Sequence, residues 1–428
     1  MGGLRSVTMV EVSKFGSKIA KTSGIGQLMD DLGSALAKGG DVIMLGGGNP
    51  AHIREVQRQC RQSLRRLLDN EADFASAVGD YDPPAGNREF IEAVCELLRE
   101  EFGWDIGTEN IALTNGSQSA FFILFNLFGG VFERGVKKKI LLPLTPEYIG
   151  YSDVGLADEL FVAIRPGIQH LGDHIFKYNV DFDRIDIGEE IGAICVSRPT
   201  NPTGNVLTDS EIKQLDEMAR LRDIPLIIDS AYGMPFPNII FTQAKPVWNN
   251  NTVLCMSLSK LGLPAVRTGI VVADKEVINM MAQANAVMSL APGGMGPAIA
   301  TELVRSREIL RLSRDVIKPF YQAKATAAVA QLTAQLDGLD FHIHKPEGAF
   351  FLWLWLEKLP ITSAELYERL KARGVIVVPG HYFFPGLCED WKHKDQCIRI
   401  NYAQDDKIVK AGLSVIAEEI RRVYTRSK

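Results

Sequence analysis

The sequence predicts an α/β fold with a mainly parallel sheet in its first 300 residues and a smaller α+β domain after it. Helical segments such as 90–102 alternate with short apolar runs, which cover 139–142, 160–164, 193–196, 226–228, 253–256 and 269–272. Strands that alternate with helices are typical of a parallel sheet covered on both faces. From about residue 305 the pattern changes to a long helical stretch, 305–336, followed by short strands and helices.

A chain of 428 residues is long enough for two or three domains, at about 150 residues per domain. We expect an N-terminal arm with part of the small domain at 1–50, a large domain at 51–305 and a small C-terminal domain at 306–428. The net charge of −5 offers no basic field for a nucleic acid, and no apolar run is long enough to cross a bilayer. We therefore expect small-molecule partners, with neither nucleic acid nor membrane among them.

The six cysteines are irregularly spaced and include no CxxC pair, which argues against a disulfide framework and a zinc cluster. The N-terminus lacks the apolar segment of a secretion signal. These features predict a cytoplasmic protein without a metal site. His342 and His344 could share one face of a strand as metal ligands, but no third ligand is evident, so a structural role is favoured.

Polar side chains follow two of the predicted strands at the point where each strand ends. Asp229 follows 226–228, and the segment 257–260, Ser-Leu-Ser-Lys, follows 253–256. Asp229 alone could cap a helix, and Lys260 alone could be a surface lysine. In an open α/β sheet, however, ligands bind beyond the carboxyl ends of the strands. The two strand ends together predict a site where a carboxylate meets the amine of Lys260.

Three further segments supply polar groups, and two of them suit an anionic ligand. Arg267 follows Lys260 by seven residues, and a guanidinium with nearby hydroxyls suits a phosphate. The segment 114–119, Thr-Asn-Gly-Ser-Gln-Ser, precedes an apolar helix whose first amides form an anion site. In the segment 197–204, two prolines flank Asn201 and fix its backbone, although such a segment could also be an ordinary turn.

The combination of these motifs in this order resembles the fold-type I pyridoxal-phosphate enzymes, specifically the class I/II aminotransferases. The motifs are SxSK with an arginine seven residues later, DxxY at 229–232, NPTG at 201–204 and the Gly-Ser-Gln helix start at 116–118. The resemblance covers about residues 40–403. It implies a seven-stranded sheet, pyridoxal 5'-phosphate as cofactor and ping-pong transfer of an amino group.

The resemblance also implies roles for individual residues. Lys260 would bond to the cofactor's aldehyde and move a proton, while Asp229 would hold the proton of the pyridine nitrogen. Asn201 and Tyr232 would hydrogen-bond the phenolic oxygen of the ring, which makes Tyr232 part of the catalytic set with Lys260 and Asp229. The positions that match the family's phosphate site are Gly116, Ser117, Gln118, Ser257, Ser259 and Arg267.

Other matches concern the substrate and a second subunit. Arg399 matches the arginine that binds the α-carboxylate, with Asn201, Gly47 and Gly48 as further substrate contacts, although a strand arginine could also form a surface pair. Tyr148 matches the aromatic ring that stacks on the cofactor, although it could equally be a core or surface tyrosine. Tyr81 matches the tyrosine that reaches the neighbouring subunit's phosphate, which implies a homodimer with shared sites.

Two departures from the family pattern are visible, Ala265 where a glycine is usual and Arg198 before the Pro-Thr-Asn-Pro step. Dicarboxylate-specific members of the family often supply a second substrate-binding arginine, across the dimer, from the region between Lys275 and Arg305. This sequence has no lysine or arginine there, so the resemblance implies a substrate with a neutral side chain. The resemblance in segments 45–51, 144–151 and 378–386 further implies amino transfer between L-valine, with 3-methyl-2-oxobutanoate, and pyruvate, with L-alanine. Another aminotransferase for neutral or aromatic amino acids, a lyase of the same fold and a ligand-sensing domain remain as alternatives.

Overall fold

A computed structural model describes residues 11–19, 26 and 42–426 of the chain. Most of the N-terminal arm expected at 1–50 therefore lies outside the described residues. None of the helices in the described ranges is long and apolar enough to cross a membrane.

The strands of the described residues are named in chain order. They are β1 (Ile43–Met44), β2 (Ile111–Thr114), β3 (Gly130–Val131), β4 (Lys137–Leu142), β5 (Phe161–Ala163), β6 (Gly167–His170), β7 (Ile175–Asn179), β8 (Ile191–Ser197), β9 (Leu226–Asp229), β10 (Thr252–Ser257), β11 (Gly269–Val272), β12 (His342–His344), β13 (Phe351–Trp355), β14 (Val375–Ile376), β15 (Val378–Pro379) and β16 (Cys397–Asn401).

The helices are named in the same way. They are α1 (Lys14–Ile19), α2 (Arg54–Asp69), α3 (Glu71–Gly79), α4 (Arg88–Phe102), α5 (Ser117–Phe128), α6 (Asp209–Arg220), α7 (Lys275–Ser289), α8 (Met295–Arg305), α9 (Glu308–Arg311), α10 (Lys318–Leu336), α11 (Ser363–Ala372) and α12 (Asp406–Arg426).

The larger sheet contains the apolar runs that the sequence analysis singled out. Its order is β2-β11-β10-β9-β8-β4-β5, and the two-residue β3 adds an eighth strand beside β4. All pairs from β10 to β5 are parallel, whereas β11 runs antiparallel to both of its neighbours. Strands β8, β9 and β10 are buried along their whole length, as expected for strands covered on both faces. The predicted mainly parallel sheet is confirmed.

The antiparallel β11 brings the candidate anion-binding segments together. Gly269 of β11 lies opposite Ser257 at the end of β10 on one side and opposite Thr114 at the end of β2 on the other. The Ser257–Lys260 segment and the Gly116–Ser117 helix start therefore emerge at the same edge of the sheet.

The smaller sheet has the order β15-β16-β13-β12-β7-β6, and Arg399 lies on its second strand, opposite Trp353 of β13 and Val378 of β15. The hairpin β6–β7 belongs to this sheet, because β7 pairs in parallel with β12. That hairpin lies within the span 51–305, so the chain crosses to the second sheet and back before the expected boundary near 305. The sequence analysis did not identify these two strands.

The long helical stretch expected at 305–336 is interrupted. Helix α8 ends at Arg305, Arg307 has a left-handed φ of +60°, and α9 then leads through a π-helical turn at Leu312–Ile317 into α10. A residue with positive φ cannot continue a right-handed helix, which is why the stretch breaks there. The predicted helical stretch is confirmed from Glu308 to Leu336, with a break at residues 306 and 307.

Candidate active site

A cavity of about 320 Å³ lies at the carboxyl ends of β8, β9 and β10, and its walls contain most of the predicted site residues. Because the three parallel strands end at the same edge, the side chains that follow them converge there. The predicted residues that line the cavity are Gly48, Ser117, Gln118, Tyr148, Asn201, Asp229, Tyr232, Ser257, Ser259, Lys260, Arg267 and Arg399. Three predicted residues, Gly47, Gly116 and Tyr81, are not among those lining it.

Lys260 follows β10 and projects its amine into the cavity. Its Nζ donates a hydrogen bond to the carbonyl oxygen of Gly48 at 2.7 Å and lies 5.4 Å from the centre of the Tyr232 ring. Burial, with the positive charge of Arg399 next in size, lowers the pKa of Lys260 to about 8. An amine with that pKa is partly neutral near pH 8, and the neutral form is the nucleophile and the base.

Asp229 ends β9 as a buried carboxylate. Its Oδ1 accepts from the backbone N–H of Ala231 at 2.9 Å, and its Oδ2 accepts from the hydroxyl of Tyr151 at 2.7 Å. Burial raises the pKa of Asp229, while these two hydrogen bonds and the charge of Lys260 act in the opposite direction. A carboxylate held in this way can pair with a cationic ligand group.

Arg399 of β16 reaches the same cavity from the smaller sheet. One terminal nitrogen donates to Oδ1 of Asn201 at 2.7 Å and the other donates to the carbonyl oxygen of Gly46. Its guanidinium lies over the rings of Phe351 and Phe383, 4.3 and 5.2 Å from their centres. Burial lowers the pKa of Arg399 to about 10, so the side chain is still cationic at pH 7.

The predicted anion-binding end of the cavity contains Arg267. Its Nη1 lies 3.4 Å from Oγ of Ser259, and Ser257 Oγ accepts from the N–H of Ser259 at 3.0 Å. A Cβ on Gly116 would lie 2.1 Å from Nη2 of Arg267, and Gly116 has a φ of +83°, so only glycine fits this position. Gly116 precedes α5 without a side-chain cap, and Ser117, the first residue of that helix, lines the cavity. Uncapped amides at a helix start suit an anionic group.

The remaining predicted residues differ in placement. Tyr148 lines the cavity with its ring at 90° to that of Tyr151, and Gln118 Nε2 donates to the Gly150 carbonyl at 2.9 Å. The carbonyl oxygen of Gly47 accepts from Asn401 at 2.6 Å. Tyr81 is 83% exposed and lies away from the cavity of its own chain.

Comparison with known proteins identifies the family. The family model for aminotransferase class I and II matches residues 40–416. The chain belongs to the class I and II aminotransferases. It is 53% identical over 415 residues to the valine–pyruvate aminotransferase of Escherichia coli strain K12, covering 97% of this chain and 99% of that relative.

Solved structures agree with this assignment. The valine–pyruvate aminotransferase of Salmonella typhimurium LT2 is 52% identical to this aminotransferase, with a TM-score of 0.86 over 94% of this chain and 99% of that one. A structure from Psychrobacter arcticum 273-4 is 51% identical, with a TM-score of 0.94 over 97% and 99% of the two chains. The resemblance inferred from the sequence motifs and the expected fold class are therefore confirmed, and the protein is a transaminase.

The class I and II aminotransferases depend on pyridoxal 5'-phosphate, and the residues of this aminotransferase fit that cofactor. Two buried polar atoms in the cavity wall, the Tyr232 hydroxyl and Nε of Arg399, have no hydrogen-bond partner among the described residues. Burying such an atom costs free energy of folding unless a ligand forms a hydrogen bond with it. The amine of Lys260, the carboxylate of Asp229 and the guanidinium of Arg267 provide the chemistry that an aldehyde, a ring nitrogen and a phosphate require.

The structure also explains the two departures from the family pattern. The guanidinium of Arg198 donates to the carbonyl oxygens of Leu207 and Lys245 at 2.7 and 2.8 Å and to Oδ1 of Asp209 at 2.5 Å, so it secures the segment after Asn201. Ala265 is exposed, and the positive φ in this turn falls on Arg267, at +48°. The extra methyl group of Ala265 therefore does not take up a strained position.

Sequence reasoning missed three residues that connect to Asp229 at the edge of the aminotransferase site. Tyr151 donates to Asp229, Ser197 at the end of β8 lies 3.3 Å from the Tyr151 hydroxyl, and Glu147 lies 2.5 Å from the Ser197 hydroxyl. Their strand-end or neighbouring positions were visible in the sequence, but their mutual contacts join residues 46 to 78 positions apart in the chain. No local pattern could have predicted those contacts.

Proposed function

We propose that this aminotransferase transfers the amino group between L-valine, with 3-methyl-2-oxobutanoate, and pyruvate, with L-alanine, in a ping-pong reaction. The observation that carries the proposal is the 53% identity over nearly the whole chain to a relative named for valine and pyruvate. The cavity supports it, since its cationic wall residues in the described chain are Lys260, Arg267 and Arg399. With two of them assigned to the cofactor, one arginine remains for the α-carboxylate and none for a side-chain carboxylate.

Arg399 is assigned to the α-carboxylate of the substrate. Its guanidinium is fixed by Asn201, by the Gly46 carbonyl and by two aromatic rings, so it is oriented before the substrate arrives. A planar guanidinium binds a carboxylate through two parallel hydrogen bonds, which fixes the direction of the Cα–H bond. The Nε atom without a partner is available for this contact.

The cofactor contacts are assigned to the residues that line the cavity. When bound, pyridoxal phosphate supplies an aldehyde that bonds to amines and a ring that withdraws electrons from Cα. In this assignment Lys260 would hold the aldehyde and move the proton at Cα, Asp229 would hold the proton of the ring nitrogen, and Tyr232 and Asn201 would hydrogen-bond the phenolic oxygen. Tyr148 would pack against the ring. The phosphate is assigned to Gly116, Ser117, Gln118, Ser257, Ser259 and Arg267.

The substrate assignment is tested with one amino acid at a time. L-valine or L-alanine alone, added to the purified holoenzyme, is expected to change the cofactor's visible absorption band, because a ping-pong enzyme completes its first half-reaction without an acceptor. L-aspartate is expected to change it far more slowly at the same concentration. A rapid change with L-aspartate and none with L-valine would contradict the proposal.

The homodimer belongs to the same proposal. The side chain of Tyr81 is far more exposed than tyrosine side chains usually are in folded proteins. We assign its hydroxyl to the phosphate site of a second subunit. Light scattering is expected to give a dimer, and Tyr81→Phe is expected to weaken pyridoxal phosphate binding. A monomer that binds the cofactor with unchanged affinity would contradict the shared site.

All six cysteines are free thiols, which supports a reducing compartment such as the cytoplasm.

A further inference from the structure

The side chain of Glu147 is fully buried beside the active site, and the mechanism assigned above does not use it. Its Oε1 accepts from the backbone N–H of Ser197 at 2.9 Å, and its Oε2 lies 2.5 Å from the Ser197 hydroxyl and 3.3 Å from the backbone N–H of Tyr148. Within the described residues it forms no ion pair. A carboxylate in such a place has lost its hydration without gaining a counterion.

The titratable groups that face Glu147 add no positive charge. They are Asp229 at the end of β9, Cys195 in β8 and Tyr151, each of which is neutral or negative. Burial raises the pKa of Glu147 to about 8, the charge of Asp229 acts in the same direction, and the contacts with Ser197 and Tyr148 only partly oppose them. At pH 7 the side chain is therefore mostly a neutral carboxylic acid.

A chain of hydroxyl groups leads from Glu147 to Asp229. The Ser197 hydroxyl lies 3.3 Å from the Tyr151 hydroxyl, which donates to Asp229 at 2.7 Å. If Glu147 were ionised, the Ser197 proton would be directed to it and away from Tyr151. If Glu147 carries a proton, that proton is donated to Ser197, whose own proton is then free for the Tyr151 oxygen.

We propose that Glu147 is a positioning residue that holds a proton in the folded enzyme and directs the Ser197 and Tyr151 hydroxyls toward Asp229. The three donors then follow one direction and end on the carboxylate that faces the ring nitrogen. A neutral Glu147 also avoids a second negative charge beside Asp229, so that Asp229 is the group that remains ionised. The assignment of Asp229 to the cofactor rests on the function proposed above, whereas the proton on Glu147 does not.

The first test is infrared spectroscopy of the enzyme without cofactor. Wild-type protein at pH 7 is expected to show the C=O band of a buried carboxylic acid, which fades as the pH rises through about 8. Glu147→Gln is expected to lack this band, and the matched control Glu217→Gln, at an exposed carboxylate, is expected to keep it. An identical band in wild type and Glu147→Gln would overturn the proposal.

The second test measures how the chain of hydroxyl groups affects Asp229. The measured quantities are the dissociation constant of pyridoxal phosphate and the pH dependence of the cofactor's visible band. Glu147→Gln keeps a donor to Ser197 and is expected to match the wild type at pH 7. Glu147→Leu and Ser197→Ala each break the chain, and each is expected to weaken cofactor binding about 5- to 30-fold, the equivalent of one buried hydrogen bond. The pH dependence of the band is expected to shift in both.

Ser197→Ala keeps this test decisive if Glu147→Leu does not fold. Wild-type affinity and an unchanged pH dependence in Ser197→Ala would overturn the proposal, as would a loss in Glu147→Gln as large as that in Glu147→Leu. Failure of the proposed function is distinguishable from failure of this inference. A wild-type protein that does not bind pyridoxal phosphate would contradict the former and leave the infrared result unaffected.

Discussion

Two groups of cationic side chains lie beside the segment 197–206, and they differ in what neutralises them. Lys177 and Arg198 lie away from the cavity and are only 7% and 6% exposed. Lys177 forms an ion pair with Glu347, and Arg198 forms one with Asp209. A buried cation that is paired with a carboxylate costs little further free energy and needs no ligand.

The cations of the cavity have no such partner. Lys260, Arg267 and Arg399 contact carbonyl, amide or hydroxyl oxygens, and in the described part of the chain none of them has a carboxylate within 4 Å. Their positive charge is left for anionic groups of a ligand, such as a phosphate or a carboxylate. Among these five side chains, the absence of a carboxylate partner thus separates the three cations that we assign to ligand binding from the two that are paired within the fold.

The largest effect expected from this comparison is on catalysis by Lys260. Lys260→Ala is expected to lower kcat for valine–pyruvate transfer by about 10⁴-fold or more, because it removes the base as well as the covalent attachment. The far-ultraviolet circular dichroism should not change, since the hydrogen bond to Gly48 is the one described for its amine. The control Lys275→Ala, at an exposed lysine, should keep full activity. Substantial activity in Lys260→Ala would remove this residue from the reaction.

Lys177→Met should lower the stability of the fold, whereas Lys260→Ala should lower catalysis. It leaves Glu347, which is 4% exposed, with Lys345 as its remaining partner, and we expect the free energy of unfolding to fall by about 3 kcal/mol. Urea unfolding measures this change. Lys213→Met breaks an exposed pair with Glu217 and should cost less than about 1 kcal/mol. Equal losses in the two variants would show that burial of the pair does not matter.

Arg399→Lys tests the cation assigned to the substrate. The variant keeps the charge but loses the planar pair of donors, so kcat/KM for L-valine should fall about 30-fold. This fall corresponds to a loss of about 2 kcal/mol of transition-state stabilisation. The affinity for pyridoxal phosphate should change much less. Arg373→Lys, whose arginine pairs with Glu418 on the surface, is the matched control. Unchanged kcat/KM in Arg399→Lys would place the carboxylate site elsewhere.

The last expected effect is a pH dependence of the free energy of unfolding, measured without cofactor. The pKa of Lys260 falls from 10.5 to about 8 in the folded enzyme. Between these pH values the unfolded chain binds more protons at Lys260, so the wild type should gain stability with rising pH relative to Lys260→Met. Below pH 8 the difference should be constant and favour the variant. A difference that does not change between pH 7 and 10 would contradict the lowered pKa.

The sequence was most informative for two site residues at strand ends. Asp229 and Lys260 follow apolar runs directly, and parallel strands end at one edge, so their convergence could be predicted. The resemblance then extended the set to Arg399, which comes from another sheet. The structure places these three residues in the wall of one cavity.

The parts that could not be predicted depend on tertiary contacts. The hairpin β6–β7 is recognised as part of the smaller sheet only through its pairing with β12, which joins Ile175 to Ile343, 168 residues further along the chain. The ion pair of Lys177 with Glu347 and the hydroxyl chain from Glu147 to Asp229 likewise join segments that are distant in sequence. Buried polar groups become recognisable only when the partners that surround them are known.

The most direct test of the central claim is to reduce the holoenzyme with borohydride and locate the cofactor by peptide mass spectrometry. Lys260 has a partly neutral amine without a counterion, whereas the amine of Lys177 is held by a carboxylate. The account predicts that the phosphopyridoxyl group is found on the peptide that contains Lys260. A label on Lys177 or another lysine, or no covalent label at all, would contradict it.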